Sequence, residues 1–139
     1  LTVPWAKGVA TRPVLDEFYR EPTDWAFRWT VGNAMTVLGT PTVVDEIANI
    51  ARHEPYGIAR QMFIVALGRL RAFAHVPLLI DLLGQDDVAG HAAIALGQLR
   101  ATDAVQRLAQ LAESAGPGWV RREAAKALKR ISGKAGGTC

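Results

Sequence analysis

Apolar side chains recur every four residues along several stretches of this chain, the spacing that places them on one face of an α-helix. The clearest sets are Ala59, Phe63 and Leu67; Val88, Ala92 and Leu96; and Val120, Ala124 and Leu128. Thr30, Ala34 and Leu38 align with them by the same count. Because an α-helix turns once in about 3.6 residues, each set predicts a helix with one buried stripe.

Each of these helices ends in nearly the same phrase. The four copies are Val37-Leu38-Gly39, Ala66-Leu67-Gly68, Ala95-Leu96-Gly97 and Ala127-Leu128-Lys129. Their leucines lie 29, 29 and 32 residues apart. A period of about 30 to 45 residues indicates a stack of helical units, in which no unit buries its apolar face alone.

The segments between these helices predict the first helix of each pair. They cover residues 13–20, 41–52, 75–83 and 103–113. Thr40-Pro41 has the composition of a helix start, with a capping residue followed by proline at the first helical position. The sequence therefore predicts an all-α fold of about eight helices in four antiparallel pairs. We expect one domain over residues 1–132, with repeats at 9–39, 40–70, 74–100 and 102–132, and a flexible glycine-rich tail at 133–139.

Two of the second helices resemble a known repeat family. The residues that carry the resemblance are Asp87-Val88, Ala93, Leu96-Gly97 and Leu99, and the run from Val120 to Ile131. They are similar to the second helix of HEAT-like repeats, in the short form described in phycobilisome lyase subunits. The resemblance is strongest over residues 56–131. It implies an armadillo-like, right-handed α-α superhelix whose second helices line a concave surface. The turn motif Asp-Val-Arg of that family is incomplete here, because Ala89 follows Val88 and no Asp precedes Val120-Arg121.

The composition fits this architecture and bears on the cellular compartment. Hydrophobic residues make up 50% of the 139 residues and the formal net charge is +3. No apolar run approaches the ~20 residues of a membrane span, and no signal peptide is visible. The single cysteine, Cys139, excludes a disulfide within one chain, so we expect a cytoplasmic protein with no membrane association.

Residues with catalytic or metal-binding chemistry are present but do not form a recognisable pattern. His53, His75 and His91 lack a second ligand at helical spacing, so no metal site is predicted. The adjacent carboxylates, such as Asp45-Glu46, point about 100° apart on a helix and do not converge. The sequence contains no Ser/His/Asp arrangement of a nucleophile and its base, and no phosphate-binding loop. We therefore expect no enzyme activity, no cofactor and no small-molecule substrate.

The last helix is strongly basic. From residue 119 onward there is one acidic residue, Glu123, against six basic ones: Arg121, Arg122, Lys126, Lys129, Arg130 and Lys134. Capping of the stack by a polar outer face explains this pattern best. An acidic protein partner is the next alternative, and nucleic acid is the least favoured of the three.

The face opposite the buried stripe carries more apolar residues than a solvated face requires. In the last helix this face runs through Glu123, Lys126 and Arg130. The equivalent positions of the two preceding second helices include three apolar side chains, Met62, Val65 and Ile94. An apolar patch rimmed by polar groups is typical of a protein-binding surface. The predicted partner-binding residues are Met62, Val65, Arg69, His91, Ile94, Gln98, Lys126 and Arg130. The alternative is that short repeats curve tightly and bury this face.

These patterns together favour a non-catalytic scaffold that binds another protein on its concave face. Two alternatives remain open. One is an accessory subunit of a lyase-type enzyme, which the resemblance to phycobilisome lyases implies. The other is a nucleic-acid-binding HEAT-like protein that uses the basic last helix.

Overall fold

The computed structural model describes the backbone of residues 4–20 and 24–133, and the side chains of residues 7–20 and 24–133. Within these ranges the chain forms eight α-helices and no strand, which confirms the all-α prediction. The helices are α1 (Pro4–Asp16), α2 (Trp25–Leu38), α3 (Val44–Arg52), α4 (Gln61–Arg69), α5 (Val76–Leu82), α6 (Ala89–Gln98), α7 (Val105–Ala112) and α8 (Gly118–Ser132). Short 3₁₀ segments precede α3, α4, α5 and α7.

The helices are arranged as an α-α solenoid of four pairs. Each odd-numbered helix packs against the even-numbered helix that follows it. The even-numbered helices also pack on one another in the order α2, α4, α6 and α8. The odd-numbered helices make much less contact among themselves, so α2, α4, α6 and α8 form the more closely packed layer.

The predicted buried stripes hold in the later helices and fail in the first. Ala92 and Leu96 of α6 are buried, and so are the matching residues of α4 and Val120 and Ala124 of α8. Leu128, the last residue of the predicted α8 stripe, is only partly buried. In α2, Thr30 is exposed, while Val31 and Met35 are buried instead. The predicted register of α2 was therefore wrong by one residue. The physical reason is that α2 is apolar on several sides, so its periodicity does not select a single face.

Glycine in the repeated phrase marks the closest approach of successive helices. A Cβ atom on Gly68 of α4 would lie 2.9 Å from the Cα of Ala95 on α6. A Cβ atom on Gly97 of α6 would lie 3.0 Å from the Cα of Ala127 on α8. The alanine of one phrase thus packs against the glycine of the phrase before it. Lys129, which takes the glycine position in α8, is exposed.

One buried arginine connects the second and third helix pairs. Arg60, with 1% of its surface exposed, lies just before α4, and its Nη2 lies 3.0 Å from Oδ2 of Asp87. The same guanidinium donates hydrogen bonds to the carbonyls of Gly57 and Ala51 at 3.0 Å each. The pairing satisfies a charge that would be costly to bury alone. In the fourth pair, Trp119 stands at the position equivalent to Asp87, and its ring covers Gly90.

The amino-terminal helix is longer than the sequence predicts. α1 begins at Pro4 and contains Pro13, where the prediction placed its start. Its charged side chains connect it to the second pair: Arg12 donates hydrogen bonds to both carboxylate oxygens of Glu46 at 2.7 and 3.0 Å. These bonds, together with one from the hydroxyl of Tyr19, lower the pKa of Glu46 although the side chain is partly buried.

The carboxyl end of the last helix is a left-handed glycine. Gly133 follows α8 with φ 76°, a conformation that glycine adopts without steric cost. The predicted flexible tail otherwise lies outside the described residues, as does Cys139.

Candidate partner-binding surface

The predicted binding residues lie on the even-numbered helices but differ in exposure. Val65 of α4 is buried, with only 7% of its surface exposed. Met62, His91 and Ile94 are partly exposed, and so is Gln98. Arg69, Lys126 and Arg130 are exposed. Val65 therefore belongs to the core, because its neighbours on α4 and the adjoining helices leave it little contact with solvent.

Four of the eight predicted residues line one cleft. The cleft has a volume of about 150 Å³ and lies between α6 and α8. Its lining comprises Ala93, Ile94, Gly97, Gln98, Glu123, Lys126, Ala127 and Arg130. Met62, Val65, Arg69 and His91 do not line it. The sequence-predicted set is thus divided between this α6–α8 cleft and the flanking parts of the layer.

The chemistry of the α6–α8 cleft is mixed. One wall is apolar, formed by Ile94 with the small side chains of α6. The rim carries two cations, Lys126 and Arg130, placed one helical turn apart on α8. Glu123 offsets part of this charge, because its Oε2 lies 3.3 Å from Nζ of Lys126. The cleft therefore combines an apolar wall with a net positive rim.

Gln98 connects the cleft to the neighbouring helix. Its Oε1 lies so close to Gly68 of α4 that an added Cβ atom there would come within 2.5 Å of it. This oxygen is buried and has no hydrogen-bond partner among the described residues. A buried polar atom without a partner is costly, so Gln98 adds a polar atom with unmet bonding capacity beside the cleft.

An aromatic contact joins the amino-terminal ends of α6 and α8. His91 packs edge-to-face on Trp119 with ring centroids 5.4 Å apart, and its Nδ1 is buried without a partner among the described side chains. Burial lowers the pKa of His91 from its ordinary value of 6.5, and the nearby Glu123 opposes this shift. His91 is thus favoured in its neutral form, which suits an aromatic contact rather than an ion pair.

Trp29 of α2 takes part in a polar connection between helices. Its Nε1 donates a hydrogen bond to Oε1 of Gln61 at 3.1 Å, and Nε2 of Gln61 donates to the carbonyl of Asp87 at 2.9 Å. The starts of α4 and α6 are therefore tied to α2 by side-chain hydrogen bonds. Trp25, on the turn before, is exposed and has no such role.

Two arginines that the sequence did not single out adopt left-handed backbone conformations. Arg71 has φ 57° and Arg100 has φ 49°. Each follows its helix in the same way: the next residue's N–H donates to the carbonyl of the phrase leucine, at 3.0 Å to Leu67 and 3.1 Å to Leu96. In the sequence, both arginines stand four residues after that leucine. The residue type did not reveal the left-handed conformation, because glycine is the residue usually expected in it.

The basic last helix is exposed along one side. Arg121, Arg122, Lys126, Lys129 and Arg130 are all solvent-exposed, and Lys134 lies outside the described residues. Among residues 4–20 and 24–133, no group of three or more His, Cys, Asp or Glu side chains could hold a metal ion. No helix in the described part of the chain has both the length and the apolar character needed to cross a membrane.

A comparison with protein families supports the repeat architecture. Residues 76–136 match the family model described as HEAT repeats. The matched portion is slightly less than half of the 139-residue chain and contains α5 to α8. With the four stacked helix pairs, it supports a HEAT-like repeat protein. Comparisons with curated proteins and with solved structures found no match.

Proposed function

We propose that this protein is a non-catalytic interaction module that binds a partner protein on the layer formed by α4, α6 and α8. HEAT repeats are commonly protein-interaction scaffolds and are generally non-catalytic. The α6–α8 cleft is the observation that carries the proposal. The Ala-Leu-Gly motif is the reason we propose that the repeats resemble the short subtype of phycobilisome lyase repeats.

The size of the cleft favours a side chain of a partner over a free small molecule. Small-molecule sites are clefts of about 300–1,000 Å³, whereas this one has a volume of about 150 Å³. A side chain with an apolar stem and a terminal carboxylate would suit this cleft. Its stem would pack against Ile94, and its carboxylate would reach Lys126 and Arg130. Anchors that fill a pocket inside a polar rim carry most of the energy at protein interfaces.

The exposed cations of α8 favour nucleic acid as a second candidate. The observation behind it is that five basic side chains lie exposed on one helix. The partial neutralisation of Lys126 by Glu123 counts against it. We expect no measurable binding of duplex DNA near physiological salt, because phosphate binding weakens steeply as salt rises. Tight, salt-sensitive duplex binding would favour the second candidate.

The test is a charge reversal at the rim of the cleft. The protein is immobilised, partners from a native lysate are identified by mass spectrometry, and the affinity of each purified partner is then measured. We expect Lys126→Glu with Arg130→Glu to weaken binding about tenfold or more, since two charge-assisted contacts are lost. Both side chains are exposed, so the melting temperature should stay close to that of the unmodified protein.

The matched control reverses two exposed arginines on the other layer. Arg52→Glu with Arg107→Glu changes the net charge equally but lies on α3 and α7. Binding should change less than about twofold in this variant. If both variants weaken binding equally, net charge rather than the cleft governs affinity and the proposal fails. Val65→Asp is not a useful probe of binding, because burying a carboxylate without a partner would unfold the protein.

A further inference from the structure

Two arginines lie beside Phe73, just after the carboxyl ends of α4 and α6. We name Arg71 and Arg100 the arginine edge. The guanidinium of Arg71 lies over the ring of Phe73, 4.9 Å from its centroid. Phe73 and Arg100 line the same surface hollow, and Nη1 of Arg100 donates a hydrogen bond to the carbonyl of Arg130. Both members of the arginine edge are solvent-exposed.

Both members of the arginine edge occupy strained backbone positions. Positive φ is unfavourable for any residue with a Cβ atom, and helix ends of this type usually use glycine. Arg71 and Arg100 nevertheless take φ values of 57° and 49° at equivalent positions of two successive repeats. Helix-end hydrogen bonds, from the N–H of Ala72 to Leu67 and from the N–H of Ala101 to Leu96, hold both residues in this conformation. Glycine would adopt it with less strain, so backbone geometry alone does not explain why arginine stands at both positions.

Contacts inside the protein use only part of these side chains. The guanidinium of Arg71 packs on the ring of Phe73, and none of the guanidinium N–H groups donates a hydrogen bond to an acceptor within the described residues. Arg100 uses one nitrogen for the carbonyl of Arg130. Because a guanidinium has several N–H donors in a planar fork, both arginines retain donor capacity suited to a carboxylate.

We propose that the arginine edge binds an acidic segment of the partner protein, with at least two carboxylates in reach of Arg71 and Arg100. The inference rests on the proposed function and adds the chemical class of the partner. Charge complementarity favours this occupant, since Asp103 is the only acidic residue in the hollow beside Arg100. A nucleic acid needs a longer track of cations, and tight duplex binders typically make about 6–10 phosphate contacts.

The test uses a fluorescein-labelled decaglutamate peptide and measures its binding by fluorescence anisotropy at low salt. Two double variants remove the edge: Arg71→Ala with Arg100→Ala, and Arg71→Gly with Arg100→Gly. The matched control is Arg52→Ala with Arg107→Ala, which removes the same charge from α3 and α7. We expect both edge variants to weaken peptide binding about tenfold or more, and the control to change it less than twofold.

The glycine variant also separates function from structure. Since glycine relieves the positive-φ strain, its melting temperature should equal or exceed that of the unmodified protein, while peptide binding is lost. The alanine variant keeps the strain and should melt no higher than the unmodified protein. A glycine variant that melts several degrees lower would mean that the arginines serve the fold, and the inference would fail.

Three further outcomes would overturn the inference. One is that the unmodified protein does not bind the peptide, another that the edge variants bind it normally, and the third that a decathymidylate of similar charge binds more tightly than the peptide. Each is distinguishable from failure of the proposed function. If the reversal of Lys126 and Arg130 still releases the native partner, the interaction module stands and only the arginine edge is wrong.

Discussion

The first two helix pairs are joined by large aromatic and charged side chains, whereas the last two meet through glycine and alanine near the carboxyl end of α6. Phe18, buried after α1, packs edge-to-face on Tyr56 and Phe63, with ring centroids 4.9 and 5.0 Å apart. Between α6 and α8, the backbone at Gly97 instead meets the Cα of Ala127. The stack therefore has a bulky, filled amino-terminal half and a close-packed carboxyl-terminal half.

This difference explains where the α6–α8 cleft lies. Where helices approach through small residues, their longer side chains lie at the edges of the contact and define a cleft, as Lys126 and Arg130 do. Where an aromatic residue fills the junction, the space is already occupied. The candidate binding residues are accordingly concentrated on α6 and α8.

The largest expected effect is in the amino-terminal half. Phe18→Ala should lower the free energy of unfolding by about 3–5 kcal/mol, because it removes a fully buried ring from the junction of the first two pairs. Phe27→Ala, at an exposed aromatic on α2, should cost less than about 1 kcal/mol. Chemical denaturation measures both. Equal costs for the two variants would show that the aromatic junction is not what holds this half together.

A smaller effect is expected where glycine permits close packing. Gly68→Ala should destabilise the protein by about 1–3 kcal/mol, since the new Cβ atom would force α4 and α6 apart. Gly8→Ala is the matched control, because a Cβ atom there meets nothing within 4 Å. Alanine at this helical position should stabilise by about 0.5–1 kcal/mol. A stabilising Gly68→Ala would contradict the close-packing explanation of the repeated phrase.

The two halves also differ in how far the sequence predicts them. The stripes of α6 and α8 could be identified because small and large residues alternate with one clear period, and the same small residues set the helix spacing. The register of α2 could not, since apolar residues occur on more than one side of that helix. Pro13 was placed at a helix start by its usual preference, whereas α1 contains it internally.

The candidate site was only partly predictable for similar reasons. Counting positions opposite the buried stripe found four cleft residues, because helical geometry fixes which residues share a face. The same counting included Val65, since sequence spacing does not show how closely the neighbouring helix covers α4. Arg71 and Arg100 escaped it entirely, because their significance lies in the sign of φ.

The smallest expected effect is a pH dependence in the carboxyl-terminal half. Burial lowers the pKa of His91 below the ordinary value of 6.5, so the unfolded state binds a proton more readily than the folded state. Stability should therefore be unaffected above pH 6.5 and fall as pH drops below it. His91→Met should reduce this fall, measured as melting temperature between pH 7.5 and 5.5. A fall that is identical with and without His91 would contradict the assignment.

Site-specific photo-crosslinking tests the central claim most directly. A photoreactive phenylalanine analogue is placed at Lys126, on the rim of the α6–α8 cleft, or at Gln106, exposed on α7. Each protein is irradiated in native lysate and its adducts are identified by mass spectrometry. A protein adduct from position 126 and none from position 106 is the result that we predict. An adduct from position 106 alone would contradict the claim that the layer of α4, α6 and α8 binds the partner.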